Sequence, residues 1–309
     1  MNSKTWLKKW IILLIFLIVV SFFLIFYLNT YKNVPLRFTN SISFDAKLSF
    51  LKNTNKLEDV EIIIIGSSMG LNNINTEILS EKLGDKILNL SSWGLKVNEI
   101  FDFMKILDLS NVKKIIYLNQ YFDFYGESIK PYNFQDVKNY LYDNSYFIAY
   151  FNTFNSLSKN LKDYLGWERR YLNKTKYSDL GFNKYGDIGL KINEENSSQD
   201  RWNAITDITK LNNHFDSFED MLKYLREKNI DFYFVTTPYR EIFFSEDKFV
   251  SQYNTYQNKI YDLNKVYSFK YINLQKILNL SDVYFADSSH LNFKGSRLVS
   301  KKLLKSIIK

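Results

Sequence analysis

The sequence predicts an α/β protein: a parallel sheet covered by helices on both faces, tethered by one N-terminal transmembrane helix and interrupted by an aromatic-rich insertion. Three observations predict it. Short β-branched runs recur between segments of helical spacing, the pattern of strands buried between helix layers. A charge-free apolar stretch of 19 residues, Trp10 to Leu28, lies near the start. Between the two groups of alternating segments, residues 121–215 lose the alternation and fill with Tyr, Phe and Asn.

The apolar stretch comes first. WIILLIFLIVVSFFLIFYL carries no charge, and only Ser21 interrupts it with a hydroxyl. At a rise of about 1.5 Å per residue it spans roughly 28 Å, the thickness of a bilayer's hydrocarbon. Trp6, Trp10, Tyr27 and Tyr31 stand near its ends, where interfacial aromatics belong. A cleaved signal peptide has a shorter apolar core followed by small residues. Here the run continues into YLNTYKNVPLRF, with no Ala-x-Ala, so an uncleaved anchor is expected. Lys4, Lys8 and Lys9 place the short tip in the cytoplasm by the positive-inside rule, and the large domain outside.

The expected organisation is a tip and anchor over 1–32, a stalk or lead-in over 33–59, and one α/β domain over 60–309. EIIIIGSS (61–68) reads as a buried strand ending in Gly and Ser, and 74–83 as a helix. Lys86–Leu90 is a second strand, Val97–Leu107 a helix and Lys113–Leu118 a third strand. After the insertion, 216–229 is an amphipathic helix with an acidic start and a basic end. DFYFVTTP (231–238) is a strand stopped by Pro238, 249–266 a helix, FKYINL (269–274) the last strand, and 294–308 a basic closing helix. Within the insertion, 19 of the 65 residues from Tyr121 to Tyr185 are aromatic, against 17% for the whole chain. Their plain reading is the packing core of a partly helical cap; their functional reading is a stacking surface for sugar rings.

Composition excludes several chemistries. With no cysteine there is no disulfide, thiolate nucleophile or Cys-based zinc site. Two histidines leave no metal-ligand cluster, no EF-hand spacing and no Gly-rich phosphate loop appear, and no cofactor is expected. The net charge of +8 falls largely around the anchor: Lys4, Lys8, Lys9, Lys32 and Arg37 occur in residues 1–37 with no acidic partner, leaving 36 basic against 33 acidic residues in the remainder. No basic stripe follows, so nucleic acid is not an expected partner.

Three short segments carry candidate chemistry. GSSMG (66–70) follows the first strand, which puts a serine at the carboxyl edge of a parallel sheet, where α/β proteins bind ligands. NLSSWG (89–94) follows the second strand, and Gly94 can bring a backbone N–H to a developing oxyanion. FADSSHLNFKGS (285–296) sets Asp287 three residues before His290, a spacing that lets the carboxylate reach the imidazole Nδ1–H and leaves Nε2 to take a proton from a serine. His214, in LNNHFD, has no comparable setting and is expected to be structural or at the surface. Arg240, in TTPYRE (236–241) after the fourth strand, is a candidate grip for an anionic group; a loop salt bridge is the plainer expectation.

In chain order these segments resemble the SGNH, or GDSL-like, hydrolase superfamily. Gly66-Ser67-Ser68-Met69 matches its Gly-Asp-Ser-Leu block, with Ser67 in place of the namesake Asp. Asn89 to Gly94 matches its second block, and Asp287 with His290 its closing Asp-x-x-His. The resemblance covers roughly 60–120 and 216–309. It implies a three-layer α/β/α sheet of flavodoxin-like strand order, Ser68 as nucleophile, and Gly94 as an oxyanion donor. The family's third block is normally Gly-x-Asn-Asp, whose Asn donates to the oxyanion. Here YLNQYFDF (117–124) has no Gly; placement favours Gln120 and residue type favours Asn119.

The resemblance implies ester hydrolysis or O-acyl transfer. With the anchor and the outward topology, it implies a cell-envelope polysaccharide or teichoic-acid-like polymer as substrate and a membrane acyl-donor protein as a partner. Two other readings remain open at this point. One is a degenerate member that binds glycan or assists assembly. The other is a scaffold in which Ser68, Asp287 and His290 do not converge.

Overall fold

The computed structural model describes residues 3–32, 34–54, 57–127, 133–143, 146–172, 180–192, 202–203, 205 and 207–308. Five strands, β1 (Ile62–Gly66), β2 (Ile87–Asn89), β3 (Lys114–Asn119), β4 (Asp231–Thr236) and β5 (Lys270–Asn273), form one sheet in the order β2-β1-β3-β4-β5. Every pairing is parallel, which gives the flavodoxin-like order.

Alternation along each strand builds two cores. Ile63, Ile65, Ile115, Tyr117, Phe232 and Phe234 point to one face, and Ile62, Ile64, Ile116, Leu118, Tyr233 and Val235 to the other. The first face is covered by α5 (Val97–Ile106), α9 (Phe215–Glu227) and α10 (Asp247–Tyr267). In α9 the stripe Phe218, Met221, Leu222 and Leu225 has the i, i+3, i+4, i+7 spacing of a core-facing helix, and all four are buried. The second face is covered by α4 (Thr76–Leu83) and α12 (Phe293–Ile307), the latter through Val299, Leu303, Leu304 and Ile307. Two short helices, α3 (Ser68–Asn72) and α11 (Leu274–Ile277), follow β1 and β5 directly. Elements expected from periodicity thus stand within a residue or two of where the sequence puts them.

Residues 42–54 differ from the expected lead-in. They form α2 (Ile42–Thr54), whose Phe44, Leu48 and Leu51 are buried in the first core. The stretch is part of the folded body, because its apolar residues recur at helical spacing and find the face of α5: the Phe44 and Phe103 rings meet edge-on at 5.0 Å.

The N-terminal helix α1 (Ser3–Lys32) is long and apolar enough to cross a membrane. The insertion supplies α6 (Phe134–Asp143), α7 (Phe147–Asn155) and α8 (Leu157–Leu172). Val137, Tyr140 and Leu141 of α6 join the first core, while α7 lies against α1. A later stretch runs along the exposed edge of β2, with Asn89 N–H donating to the Tyr185 carbonyl at 2.8 Å, and reaches α3 and α12 through Ile188 and Leu190. That cover blunts a free strand edge. The described aromatics of the insertion therefore serve mainly as packing; Tyr121, Phe122 and Ile205 reach the cavity described next.

Candidate active site

Loops at the carboxyl ends of β1, β2, β3 and β4, with the segment before α12, enclose a cavity of about 260 Å³. Ser68, Gly94, Asp287 and His290 all line it, with Trp93 and a wall of Tyr121, Phe122, Tyr239, Phe243 and Phe249.

Ser68 opens α3 and is half-buried. Its neighbour Ser67 caps the helix, accepting from Met69 N–H at 3.3 Å. Two glycines allow this turn to sit where it does. A Cβ on Gly66 would stand 2.2 Å from the Leu118 carbonyl oxygen of β3, and one on Gly70 would stand 2.1 Å from Ser91 Oγ. Block one thus presses directly on β3 and on the loop after β2, and only glycine permits that approach.

The segment 287–290 is a local turn built by its own carboxylate. Asp287 Oδ1 accepts from the backbone N–H of Ser289 at 2.9 Å and of His290 at 2.7 Å, while Oδ2 meets His290 Nδ1 at 2.8 Å. An Asx turn of this kind needs no distant partner, which explains why the three-residue spacing was readable in the sequence. Burial pushes the Asp287 carboxyl up, but the His290 charge and these hydrogen bonds outweigh it and hold the group at about 2. Asp287 is therefore an ionised acceptor, so the proton on the shared bond belongs to Nδ1. With Nδ1 turned to the carboxylate, the form of the ring that has given up its second proton carries its lone pair on Nε2.

Two asparagines at the end of block one join the three segments, and the sequence reading missed both. Asn73 donates to the Ser289 carbonyl at 2.9 Å and accepts from Leu291 N–H at 2.8 Å, clamping α3 to the histidine turn. Asn72 accepts from Trp93 Nε1 at 2.6 Å and donates to the Ile188 carbonyl at 2.9 Å. Trp93 in turn lies 6.0 Å from the His290 ring, centroid to centroid. The available signal was polarity: two consecutive amides inside GSSMGLNN, on a segment whose other residues are apolar or small.

In the second block, Asn89 donates to the Gly70 carbonyl at 2.7 Å and accepts from Ser91 N–H at 2.9 Å, closing the loop that carries Gly94. Gly94 has φ +80°, the left-handed region that glycine tolerates without strain. Beneath this loop Lys47 of α2 is fully buried, donating to the carbonyls of Asn89 (2.9 Å) and Gly186, with its ammonium 4.2 Å from the Phe182 ring centroid. Burial lowers its pKa to about 7 against the opposing pull of Asp187.

The two amides proposed for the third block are spent elsewhere. Asn119 ends β3 with its side chain turned into the core, donating to the Val235 carbonyl at 3.1 Å and accepting from the Tyr256 hydroxyl. Gln120 donates to the Pro238 carbonyl at 3.2 Å and lies 3.5 Å from the Ser289 carbonyl, which makes it a support of the histidine turn. Neither lines the cavity. Strand alternation sends Asn119 to the Phe234 side of the sheet, a direction fixed by register rather than by residue type. Arg240 is also occupied: it forms a two-pronged ion pair with Asp282 at 3.0 and 2.7 Å, donates to the Trp202 carbonyl at 2.6 Å, and stacks 3.6 Å from the Trp202 ring. It is a buried loop salt bridge, and nothing places it on the cavity. His214 precedes α9 and bonds through Nε2 to the Gly126 carbonyl at 2.7 Å, a structural tie.

Asp123 is the other residue the sequence reading passed over. It is buried below the cavity, accepts from Gln120 N–H at 3.0 Å, and receives the Ser67 hydroxyl. Burial raises its pKa to about 6, opposed by the Lys96 charge and by those hydrogen bonds. A carboxylate from the turn after β3 thus reaches the Ser67 hydroxyl beside Ser68.

Among the described residues no three His, Cys, Asp or Glu side chains converge as a metal site would need. The chain matches no family model and no curated protein. Among solved structures it is similar to an acetyl xylan esterase, AlAXEase (14% identity, TM-score 0.43, covering 80% of this chain and 100% of that one). It is similar too to a putative lipolytic protein of the G-D-S-L family from Desulfitobacterium hafniense DCB-2 (7% identity, TM-score 0.41, covering 80% and 99%). A third is the lipase Lip_vut3 from a goat rumen metagenome (10% identity, TM-score 0.41, covering 80% and 97%).

Proposed function

We propose that this chain is a membrane-anchored serine esterase or O-acyltransferase of the SGNH type, acting outside the cytoplasm on a cell-envelope polysaccharide or a teichoic-acid-like polymer. The observation that carries the reading is the meeting of Ser68 with the bonded pair Asp287–His290 on one cavity at the carboxyl edge of the sheet. In this reading Ser68 Oγ attacks the ester carbonyl carbon while His290 Nε2 takes its proton. The tetrahedral oxyanion is held by the backbone N–H groups of Ser68 and Gly94. His290 then returns the proton to the departing alkoxide, leaving an acyl group on Ser68. Water or a sugar hydroxyl, deprotonated by His290 Nε2, attacks the acyl carbon; the bond to Ser68 Oγ breaks, His290 returns the proton to Oγ, and Asp287 stays ionised throughout and orients the ring.

The cavity of about 260 Å³ suits a small acyl group, and the half-buried Trp93 and Phe122 on its lining give a sugar ring an aromatic surface to meet. The charge-free stretch of α1 and Lys4, Lys8 and Lys9 before it support the anchor and the outward topology. Transfer rather than hydrolysis requires an acyl donor, for which a membrane protein beside α1 is the partner in this reading.

One observation favours a second reading, a degenerate member that binds glycan without turnover. Asn119 and Gln120 are both bonded within the body of the protein, and neither side chain lines the cavity. The two readings part on acetyl-ester hydrolysis by the full chain in detergent. Turnover that falls by about 10³-fold or more in both Ser68→Ala and His290→Ala supports the esterase reading. No turnover in the parent, or turnover that both variants retain, overturns it.

A further inference from the structure

We propose that α7 lies within the outer leaflet of the membrane beside α1 and seats the cavity-bearing domain directly on the lipid; this rests on reading α1 as a membrane span. The helix reads FIAYFNTFN, without one charged side chain, in a chain that is 24% charged. Its inner side is packed: Ala149 and Thr153 are buried, Phe154 stacks on Phe22 of α1 with centroids 6.1 Å apart, and Tyr150 meets the same ring at 6.2 Å. Its outer side carries Phe147, Ile148 and Phe151, which are 70%, 40% and 50% exposed. That face continues without a break into Phe23 and Phe26 of α1, 70% and 51% exposed, across an apolar groove shared with Phe22, Phe147 and Tyr150. An apolar face this continuous is a surface for another apolar phase rather than for water.

Depth identifies that phase. The apolar run of α1 ends at Leu28, and Phe22 lies six residues before it, roughly 9 Å deeper at 1.5 Å per residue. A side chain that stacks on Phe22 must share that depth, and helices that lie in a leaflet sit about 5–10 Å into it. Nine residues span roughly 13 Å, too short to cross, so α7 lies in one leaflet only. The depth is fixed by the chain leaving α1: Arg37 N–H donates to Thr153 Oγ1 at 2.8 Å and the Tyr164 hydroxyl to the Lys32 carbonyl at 2.7 Å. Charge returns immediately beyond α7, with Lys159 and Lys162 exposed on α8 where lipid phosphates would meet them. The occupant of the groove is therefore the acyl chains of outer-leaflet lipid.

The chain has no cysteine, so a single introduced thiol reports one place. The full chain, reconstituted in phosphatidylcholine/phosphatidylglycerol vesicles, is spin-labelled in turn at Phe151→Cys, at Phe16→Cys within α1, and at Lys265→Cys on the far side of the domain. Collision with oxygen, which concentrates in hydrocarbon, is compared with collision with a water-soluble nickel chelate. The proposal expects label 151 to match label 16, with oxygen favoured over nickel about tenfold relative to label 265. It is overturned if label 151 matches label 265 while label 16 reads hydrocarbon. It is overturned equally if label 151 is shielded from both reagents, since a second copy or another protein then covers the face. Labels 16 and 151 both reading water would remove the span itself along with the proposal.

Discussion

Asn119 and Gln120 carry the clearest test at the scale of single residues, because residue type and geometry give them different jobs. Asn119 is bonded to the Val235 carbonyl and the Tyr256 hydroxyl inside the core. Asn119→Ala is expected to destabilise the fold by about 1–3 kcal/mol, the cost of leaving buried partners unsatisfied. Turnover per folded molecule should change little; loss of an oxyanion donor would instead lower it about 10²–10³-fold. Urea melts set beside ester turnover separate the two, and a hundredfold loss at unchanged stability would return Asn119 to the oxyanion site. Asn73 should behave differently, since it clamps α3 to the turn that carries His290. Asn73→Ala is expected to lower stability by about 1–3 kcal/mol and turnover by about tenfold or more, with the conservative Asn73→Gln no substitute because its longer arm misses the Leu291 N–H. Equal turnover in Asn73→Ala and the parent would contradict the clamp. At this scale the sequence showed what is local. The Asp287 to His290 bond closes within four residues and was legible, whereas Asp123 reaching Ser67 and Asn73 reaching Ser289 join residues far apart in the chain and were not.

Among the elements, α2 holds the least expected role. Lys47 is sealed beneath the loop of the second block, and burial lowers its pKa from 10.5 to about 7. Between those values the unfolded chain keeps a proton that the folded chain has released. The unfolded state then binds more protons, so stability rises with pH from about 7 towards 10.5. The slope from this group is at most about 1.4 kcal/mol per pH unit. Lys47→Met should remove that rise, so the stability difference between parent and variant grows in the parent's favour as pH goes from 7 to 9. Denaturant midpoints at the two pH values measure it, and parallel slopes would mean Lys47 is protonated in the fold. Strands and their covering helices were legible because each writes its burial into its own local pattern: the unbroken run Ile62 to Ile65 in β1, the helical stripe Phe218 to Leu225 in α9. The place of α2 was not legible, since a lysine in a thirteen-residue helix reads as solvent-facing until Asn89 and Gly186 close over it.

At the scale of the whole molecule, the sheet gathers three distant segments at one edge, and the insertion joins the body to α1. Glycine at 66 is required where block one crosses β3. Gly66→Ala brings a methyl against the Leu118 carbonyl, and is expected to reduce folded protein on expression more than any substitution on the exposed face of α10. The alternation of strands and helices announced the sheet, but the sequence offered no register for the insertion. Its aromatics meet one another edge-on and pack on Phe22 of α1, contacts set only once the body has folded. In the proposed function Ser68, His290 and Asp287 act as one nucleophilic centre. Intact-mass analysis of the full chain after treatment with a fluorophosphonate tests it most directly. One adduct is expected, mapped by peptide mass to Ser68, absent in Ser68→Ala and slowed about 10³-fold or more in His290→Ala. An unmodified chain, or an adduct on any serine other than Ser68, would contradict it.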